Sequence, residues 1–191
     1  MKARWIMSCV VLLCAAAAVG FILTEDNAQM AASGEVVVLE ENEGYLDMES
    51  NPLLSDTYPE LEDAVRKYYS ERKEDTGFVE DYHNVQIYTK KGRYKDSYVV
   101  FVRYDMKIKD IYTEVPGLGT LYVEKNADSG EYQIDSAPEQ EGIQELVNTL
   151  ASHGDVQSLM AQIQTDYENA VASDALLAEA LQDLKNAYEN R

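Results

Sequence analysis

From residue 97 to 110, "SYVVFVRYDMKIKD", an apolar or aromatic side chain falls on nearly every even position: Tyr98, Val100, Val102, Tyr104, Met106 and Ile108. A period of two is that of a β-strand, whose successive side chains point to opposite faces. The odd positions begin apolar with Val99 and Phe101 and turn charged with Arg103, Asp105, Lys107 and Lys109. This pattern predicts a long strand with one face buried throughout and the other buried only near its start. Shorter strands flank it. "NVQIYT" (84–89) precedes the turn "KKGRYKD", while "TLYVEK" (120–125) and "EYQI" (131–134) enclose the turn "NADSG". Together they predict a curved four-stranded antiparallel meander.

Before and after the meander the period changes to that of a helix. Leu61, Ala64, Val65, Tyr68 and Tyr69 recur at helical spacing behind Thr57 as a cap and Pro59 in the first turn, and Gly77 ends the run. In the C-terminal third, Ile143, Leu146, Val147 and Leu150 form one stripe, interrupted at "SHGD". Asp155 is placed to cap a second helix carrying Val156, Leu159, Ile163 and Tyr167, and Ser173 or Asp174 starts a third with Leu177, Leu181 and Leu184. The fold class is therefore α+β: one helix packed on a curved four-stranded sheet, with C-terminal helices.

The N-terminus follows neither period. Residues 5–23, "WIMSCVVLLCAAAAVGFIL", are uncharged, follow Lys2 and Arg4, and precede Glu25 and Asp26. As a helix they reach about 28 Å, close to the thickness of a bilayer's hydrocarbon core. The flanking charges predict an N-inside, C-outside transmembrane signal-anchor. Ala18-Val19-Gly20 has the form of a signal-peptidase site, so cleavage and secretion is the alternative fate. The predicted organisation is a signal-anchor or signal peptide over 1–23, an acidic tether over 24–56 and one α+β domain over 57–190. The domain lies outside the cytoplasm, at the cell membrane or secreted.

Charge and composition then exclude several functions. The chain carries 35 acidic side chains against 16 basic ones, for a net charge of −19, which opposes binding to nucleic acid. The longest basic cluster, Lys90, Lys91, Arg93 and Lys95, reads as a solvated hairpin turn. Cys9 and Cys14 both fall in the apolar leader, so the predicted domain has no thiol for a disulfide, a nucleophile or a metal. His83 and His153 are the only histidines, too few for a zinc site, and no cofactor is expected.

"EVPGLGTLYVEK" (114–125) carries Gly117 and Gly119, half of a dinucleotide-binding glycine pattern, but it enters a strand where that pattern must open a helix. Pro116 and Gly117 are expected to form a tight bend, with a ligand-lining loop as the alternative. Five of the 14 tyrosines, Tyr88, Tyr98, Tyr104, Tyr122 and Tyr132, lie on predicted strands. They suit a half-buried pleated surface, and they also suit the concave side of a sheet that holds a sugar or peptide. The candidate ligand-lining residues are Tyr98, Tyr104, Tyr122, Pro116 and Gly117; no catalytic, cofactor-binding or metal-ligating residue is assigned.

The segments "YPELEDAVRKYY", "VQIYTKKG", "YVVFVRYDMKIKDIYTEVPGLGTLYVEKNADSGEYQI" and "LASHGDVQSLMAQIQTDYENAVASDALLAEAL" cover most of residues 58–181. They resemble the extracytoplasmic region of uncharacterised membrane-anchored proteins of Gram-positive anaerobes, with "YTEVPGL" as the most specific part. The resemblance implies a nuclear-transport-factor-2-like or cystatin-like fold, in relatives that often carry bacterial Src-homology-three-type domains. Those relatives place longer helical segments between the "KYY" helix and the following strand, so a helical lid over the sheet is not expected here. The resemblance implies no catalytic residues, and the function expected is that of a non-enzymatic envelope protein that binds another protein, a peptide or a wall component through the sheet or the C-terminal helices. A small-ligand-binding or enzymatic domain with a tyrosine-lined pocket is the alternative.

Overall fold

The computed structural model describes residues 40–72 and 78–189. In chain order the elements are β1 (Leu54–Ser55), α1 (Pro59–Arg72), β2 (Val79–Lys91), β3 (Ser97–Ile108), β4 (Val115–Lys125) and β5 (Tyr132–Asp135). Three helices follow, α2 (Glu141–Ala151), α3 (Gly154–Ser173) and α4 (Ala175–Glu189). The class is α+β, and the strands form one antiparallel sheet in the order β1-β2-β3-β4-β5. The sheet has five strands rather than four. The extra edge strand, β1, comes from residues expected in the tether and pairs Leu54 with Thr89 and Ser55 with Tyr88. The leader and residues 24–39 of the expected tether lie outside the described residues, and among those described no helix is long and apolar enough to cross a membrane.

The two-residue period of β3 decides the layering. Its even residues Tyr98, Val100, Val102 and Tyr104 pack with Leu61, Val65 and Tyr69 of α1. Its odd residues Val99 and Phe101 pack with Leu146 and Leu150 of α2 and with Val156, Leu159 and Ile163 of α3. The sheet is thus the middle of three layers, where the sequence pattern predicts only the α1 layer to be packed on it. Beyond Val102 the odd face turns polar, as the charged positions predict: Arg103, Asp105 and Lys107 are only half-buried. A third cluster joins Ile108 and Val115 to Leu177 of α4, with Tyr167, Ala170 and Val171 of α3 around it.

Two aspartates fix the course of α3. Asp155, expected as its cap, instead stands in the first turn, since His153 is the capping residue. Its carboxylate accepts from Leu53 N–H and Lys90 Nζ beside the β2–β3 turn. At the other end Asp174 bonds Thr113 in the β3–β4 turn and caps α4 through the N–H groups of Leu176 and Leu177. The helix of 20 residues, about 30 Å long, therefore spans the sheet from one turn to the other. These turns define a closed end at residues 91–97 and an open end at 109–114.

At the closed end, residues 40–53 are bonded to the body. Asn51 is 2% exposed, and its side-chain amide both donates to Lys91 O and accepts from Lys91 N–H, as a neighbouring strand would. Asn42 Nδ2 donates to the carbonyls of Gly92 and Tyr94. The basic turn is consequently not a solvated one throughout. Lys90 is 1% exposed, while Arg93 pairs with Glu41 and Lys95 with Glu40.

Candidate functional site

The open end is built by an irregularity in β2. Pairing runs His83↔Asp105 and then Gln86↔Arg103, so β2 advances three residues while β3 retreats two, and one extra residue is accommodated. This β-bulge is eased by Asn84, whose φ of 49° lies in the left-handed region that asparagine tolerates. Because of the bulge, Tyr82 and Ile87 both face α1. Asp81 and His83, directly opposite Lys107 and Asp105, share the opposite face with them. Pro116 is paired with Asp105 and completes a polar floor across three strands.

Charges on this floor are incompletely matched. Asn84 Nδ2 donates to Asp105 Oδ2 at 2.7 Å, and Arg103 Nη2 lies 3.2 Å from Asp166 Oδ2 of α3. Arg103 Nη2 and Asp105 Oδ1 stand 3.9 Å apart, beyond hydrogen-bond reach. Arg103 Nε and Asp105 Oδ1 are both buried atoms without a hydrogen-bond partner. His83 Nδ1 is 2.6 Å from Glu114 Oε1, with Asp81 Oδ2 3.8 Å from its other nitrogen. The Glu114 hydrogen bond raises the His83 pKa above the ordinary 6.5.

The turn above the floor is held from below. Lys107 Nζ donates to the carbonyls of Ile111 and Tyr112 and lies 5.4 Å from the Tyr112 ring centroid. Tyr112 is nevertheless 92% exposed, and Leu176, next to the Thr113–Asp174 contact, is 65% exposed. A loop ordered by its neighbours while presenting an aromatic ring to solvent is preorganised for contact.

The residues singled out from sequence do not converge. Tyr98 and Tyr104 face α1, whereas Tyr122 packs on the opposite side with α2 and α3. Burial pushes the Tyr98 phenol up to about 12 and raises that of Tyr122, which also donates to Glu124. Tyr69, Tyr82 and Tyr104 interlock between α1 and the sheet, with Tyr82 edge-on to both partners at centroid distances of 5.4 and 5.1 Å.

Pro116 and Gly117 form no bend: both lie within β4, and the turn falls at 109–114, where Asp110 takes the positive φ. The glycines have another use. A Cβ on Gly117 would stand 2.5 Å from Tyr104 Cε2, and one on Gly119 would overlap Tyr69 Oη. They let the tyrosine rings lie directly on the strand.

Of the candidates, only Pro116 belongs to the polar floor. The floor's other residues were visible as charged odd positions, but their convergence with Asp81 and His83 depends on the bulge. Among the described residues no group of His, Cys, Asp and Glu is arranged to hold a metal ion. Comparison of the chain with protein-family models, with curated proteins and with solved structures finds no match.

Proposed function

We propose that this is a membrane-anchored, extracytoplasmic, non-enzymatic binding module of the cell envelope, in the nuclear-transport-factor-2-like manner, with the open end as its binding surface. The partner classes are an envelope protein, a peptide or a wall component. Placement outside the membrane rests on the uncharged run 5–23 and on the restriction of cysteine to that run.

One observation carries the non-enzymatic reading. The titratable groups suited to acid–base work, His83 and Asp105, stand on the polar floor, while the layer between α1 and the sheet is filled by interlocked tyrosine and aliphatic side chains. Among the described residues the contacts His83 makes are to two carboxylates, Glu114 and Asp81, which orient the ring toward acidic partners.

The test is photo-crosslinking on intact cells from a photoreactive residue at Tyr112, compared with one at exposed Asp128 in the β4–β5 turn, beyond the opposite end of β4. Specific adducts from position 112 alone are expected. Equal labelling from both positions, or a body resistant to protease added outside the cell, overturns the proposal.

A further inference from the structure

We propose that the outer edge of β5 takes an added β-strand from a partner whose side chains alternate between aliphatic and basic. This surface is separate from the open end and rests on different observations. Asn126 N–H donates to Glu131 O, while Lys125 N–H donates to Asp96 O on the β3 side. Because an antiparallel ladder alternates hydrogen-bonded with non-hydrogen-bonded pairs, Lys125↔Tyr132 and Val123↔Ile134 are of the second kind. The N–H and C=O groups of Tyr132 and Ile134 therefore point away from β4, and β5 is the last strand of the sheet. Among the described residues no hydrogen bond reaches these groups. Gln133 and Asp135 are exposed, and Tyr132 and Ile134 only half-buried, so the edge is open to solvent.

The opposite edge of the sheet is blunted in several ways. β2 has irregularities at Val79/Asp81 and His83/Gln86. β1 pairs with its Tyr88 and Thr89, Arg66 Nη1 of α1 donates to Val85 O, and the Asn51 amide occupies the main chain of Lys91. β5 keeps an unbroken register with β4 and contains no proline. Its one safeguard is shortness, which limits the docked segment to a few residues. Such a segment gains affinity from main-chain hydrogen bonds and specificity from alternate side chains.

The two faces of β5 define those side chains. Tyr132 and Ile134 pack at the rim of the apolar layer beneath α1. Glu131, Gln133 and Asp135 stand exposed on the other face. The neighbouring cation, Lys125, is held by Glu60 and lies over the Tyr132 ring, and residues 126–184 contain no Lys or Arg. A second copy is a poor occupant. In the antiparallel register that uses both outward residues, Glu131 of each copy would face Asp135 of the other, and like charges directly opposite are destabilising. A partner with aliphatic residues opposite Tyr132 and Ile134 and basic residues opposite Glu131 and Asp135 satisfies both faces. Asp128, beyond the last pair of the ladder, lies outside this slot.

The full chain, in detergent micelles and labelled with ¹⁵N, is titrated with an acetylated, amidated heptapeptide alternating Arg and Val. In the free protein the Tyr132 and Ile134 amides should exchange with solvent faster than those of Gln133 and Asp135. The peptide should shift the two outward amides and slow their exchange, without a response at Tyr112. The same peptide N-methylated at its valines keeps every side chain but loses the donors that face β5, and should bind at least about tenfold more weakly. A Glu/Val counterpart should be weakened to a similar degree. In the double variant Glu131→Gln, Asp135→Asn the Arg/Val peptide should bind about fivefold more weakly, the loss of two cross-strand charge pairs.

Equal binding of the N-methylated peptide would reveal a contact of charges alone and overturn the assignment. Equal binding of the Glu/Val peptide would overturn the selection for basic segments. Unchanged exchange at Tyr132 and Ile134, or a response at Tyr112 in their place, would remove the docking site from β5.

Discussion

The two ends of the sheet treat charge in opposite ways. At the closed end Lys90 is a fully buried cation, and its Nζ donates to Asn51 O at 2.6 Å and to Asp155 Oδ2 at 2.8 Å. That carboxylate also accepts from Leu53 N–H, so one ion pair joins residues 51–53, β2 and the first turn of α3. At the open end Arg103 Nη2 lies 3.2 Å from Asp166 and 3.9 Å from Asp105, and its Nε has no partner. A buried charge is tolerated when every polar atom around it is paired. The Lys90–Asp155 pair meets that condition with the protein's own chain, with His153 Nδ1 the one buried atom near it left unpaired among the described residues, whereas at the open end Arg103 Nε and Asp105 Oδ1, both members of the charged cluster itself, are unpaired.

Removing the cation from each end tests this contrast most severely. Lys90→Met leaves Asp155 and the Asn51 carbonyl without their partner and is expected to cost about 3 kcal/mol, the lower part of the range for a broken buried pair because Asp155 is partly exposed. Thermal denaturation should show a Tm lowered by roughly 6–12 °C for a chain of this size. Arg103→Met should cost less than about 1 kcal/mol. Equal losses would mean that the two ends do not differ as described.

Acid acts on the same ends unequally. Burial raises the Asp155 pKa, but the Lys90 ammonium and the N–H groups of Leu53 and Val156 outweigh it and hold the carboxyl below the ordinary 3.8. A depressed carboxyl contributes stability that is present above its unfolded value and is lost as pH falls through the folded one. Below pH 3.8 the amides of Asn51 and Leu53 should therefore lose hydrogen-exchange protection, and Lys90→Met should weaken that dependence.

The open end is itself two-sided, and a third prediction sets its faces against each other. Gly119 and Asp105 lie on neighbouring strands but face opposite ways. Gly119→Ala drives a methyl into Tyr69 Oη beneath α1, an overpacking cost of about 2 kcal/mol. Asp105→Asn on the floor should change stability by less than about 1 kcal/mol, because the bond from Asn84 can be kept. Urea unfolding of both variants measures the difference. A larger loss for Asp105→Asn would place the structural weight on the floor.

Much of this plan is legible along the chain. The even positions of β3 and the stripe in α1 announce one layer, because each periodic face must be covered by something apolar, while the stripes in α2 and α3 announce apolar faces without saying that these cover the other side of the sheet. The charged odd positions 103, 105 and 107 announce where cover on the other face stops. What is not legible depends on partners distant in sequence. Nothing local marks Lys90 as buried, since its neighbours Lys91, Arg93 and Lys95 are charged too, and its partner lies 65 residues away in α3. The acidic composition of residues 40–53 reads as tether. Two asparagines whose amides imitate strand edges are what bind it. The bulge at Asn84 has only a weak local signal, and without it Asp81 and His83 fall on the tyrosine side. Gly117 and Pro116 suggest a turn because they are good at turns, but here tyrosine rings on the facing layer need the space that glycine leaves.

The smallest effect concerns His83, and it asks whether the turn at 109–114 is held to the floor by charge. The imidazole bridges β2 to Glu114 at 2.6 Å, with Asp81 on its own strand, Asp105 directly opposite and Lys107 adjacent on β3. The Glu114 hydrogen bond favours the protonated ring, so the folded pKa exceeds 6.5, and the stabilisation is complete below 6.5 and lost as pH rises through the folded value. The side chain is 46% exposed, which keeps the energy small, but the position of the titration remains a sensitive reading. NMR titration should place the His83 midpoint above 6.5 and return it toward 6.5 in Glu114→Gln, with amide shifts at Tyr112 and Thr113 following the same midpoint in the wild type. A His83 midpoint insensitive to Glu114→Gln would show that the turn is held by Lys107 and Asp174 alone, leaving the display of Tyr112 independent of pH in this range.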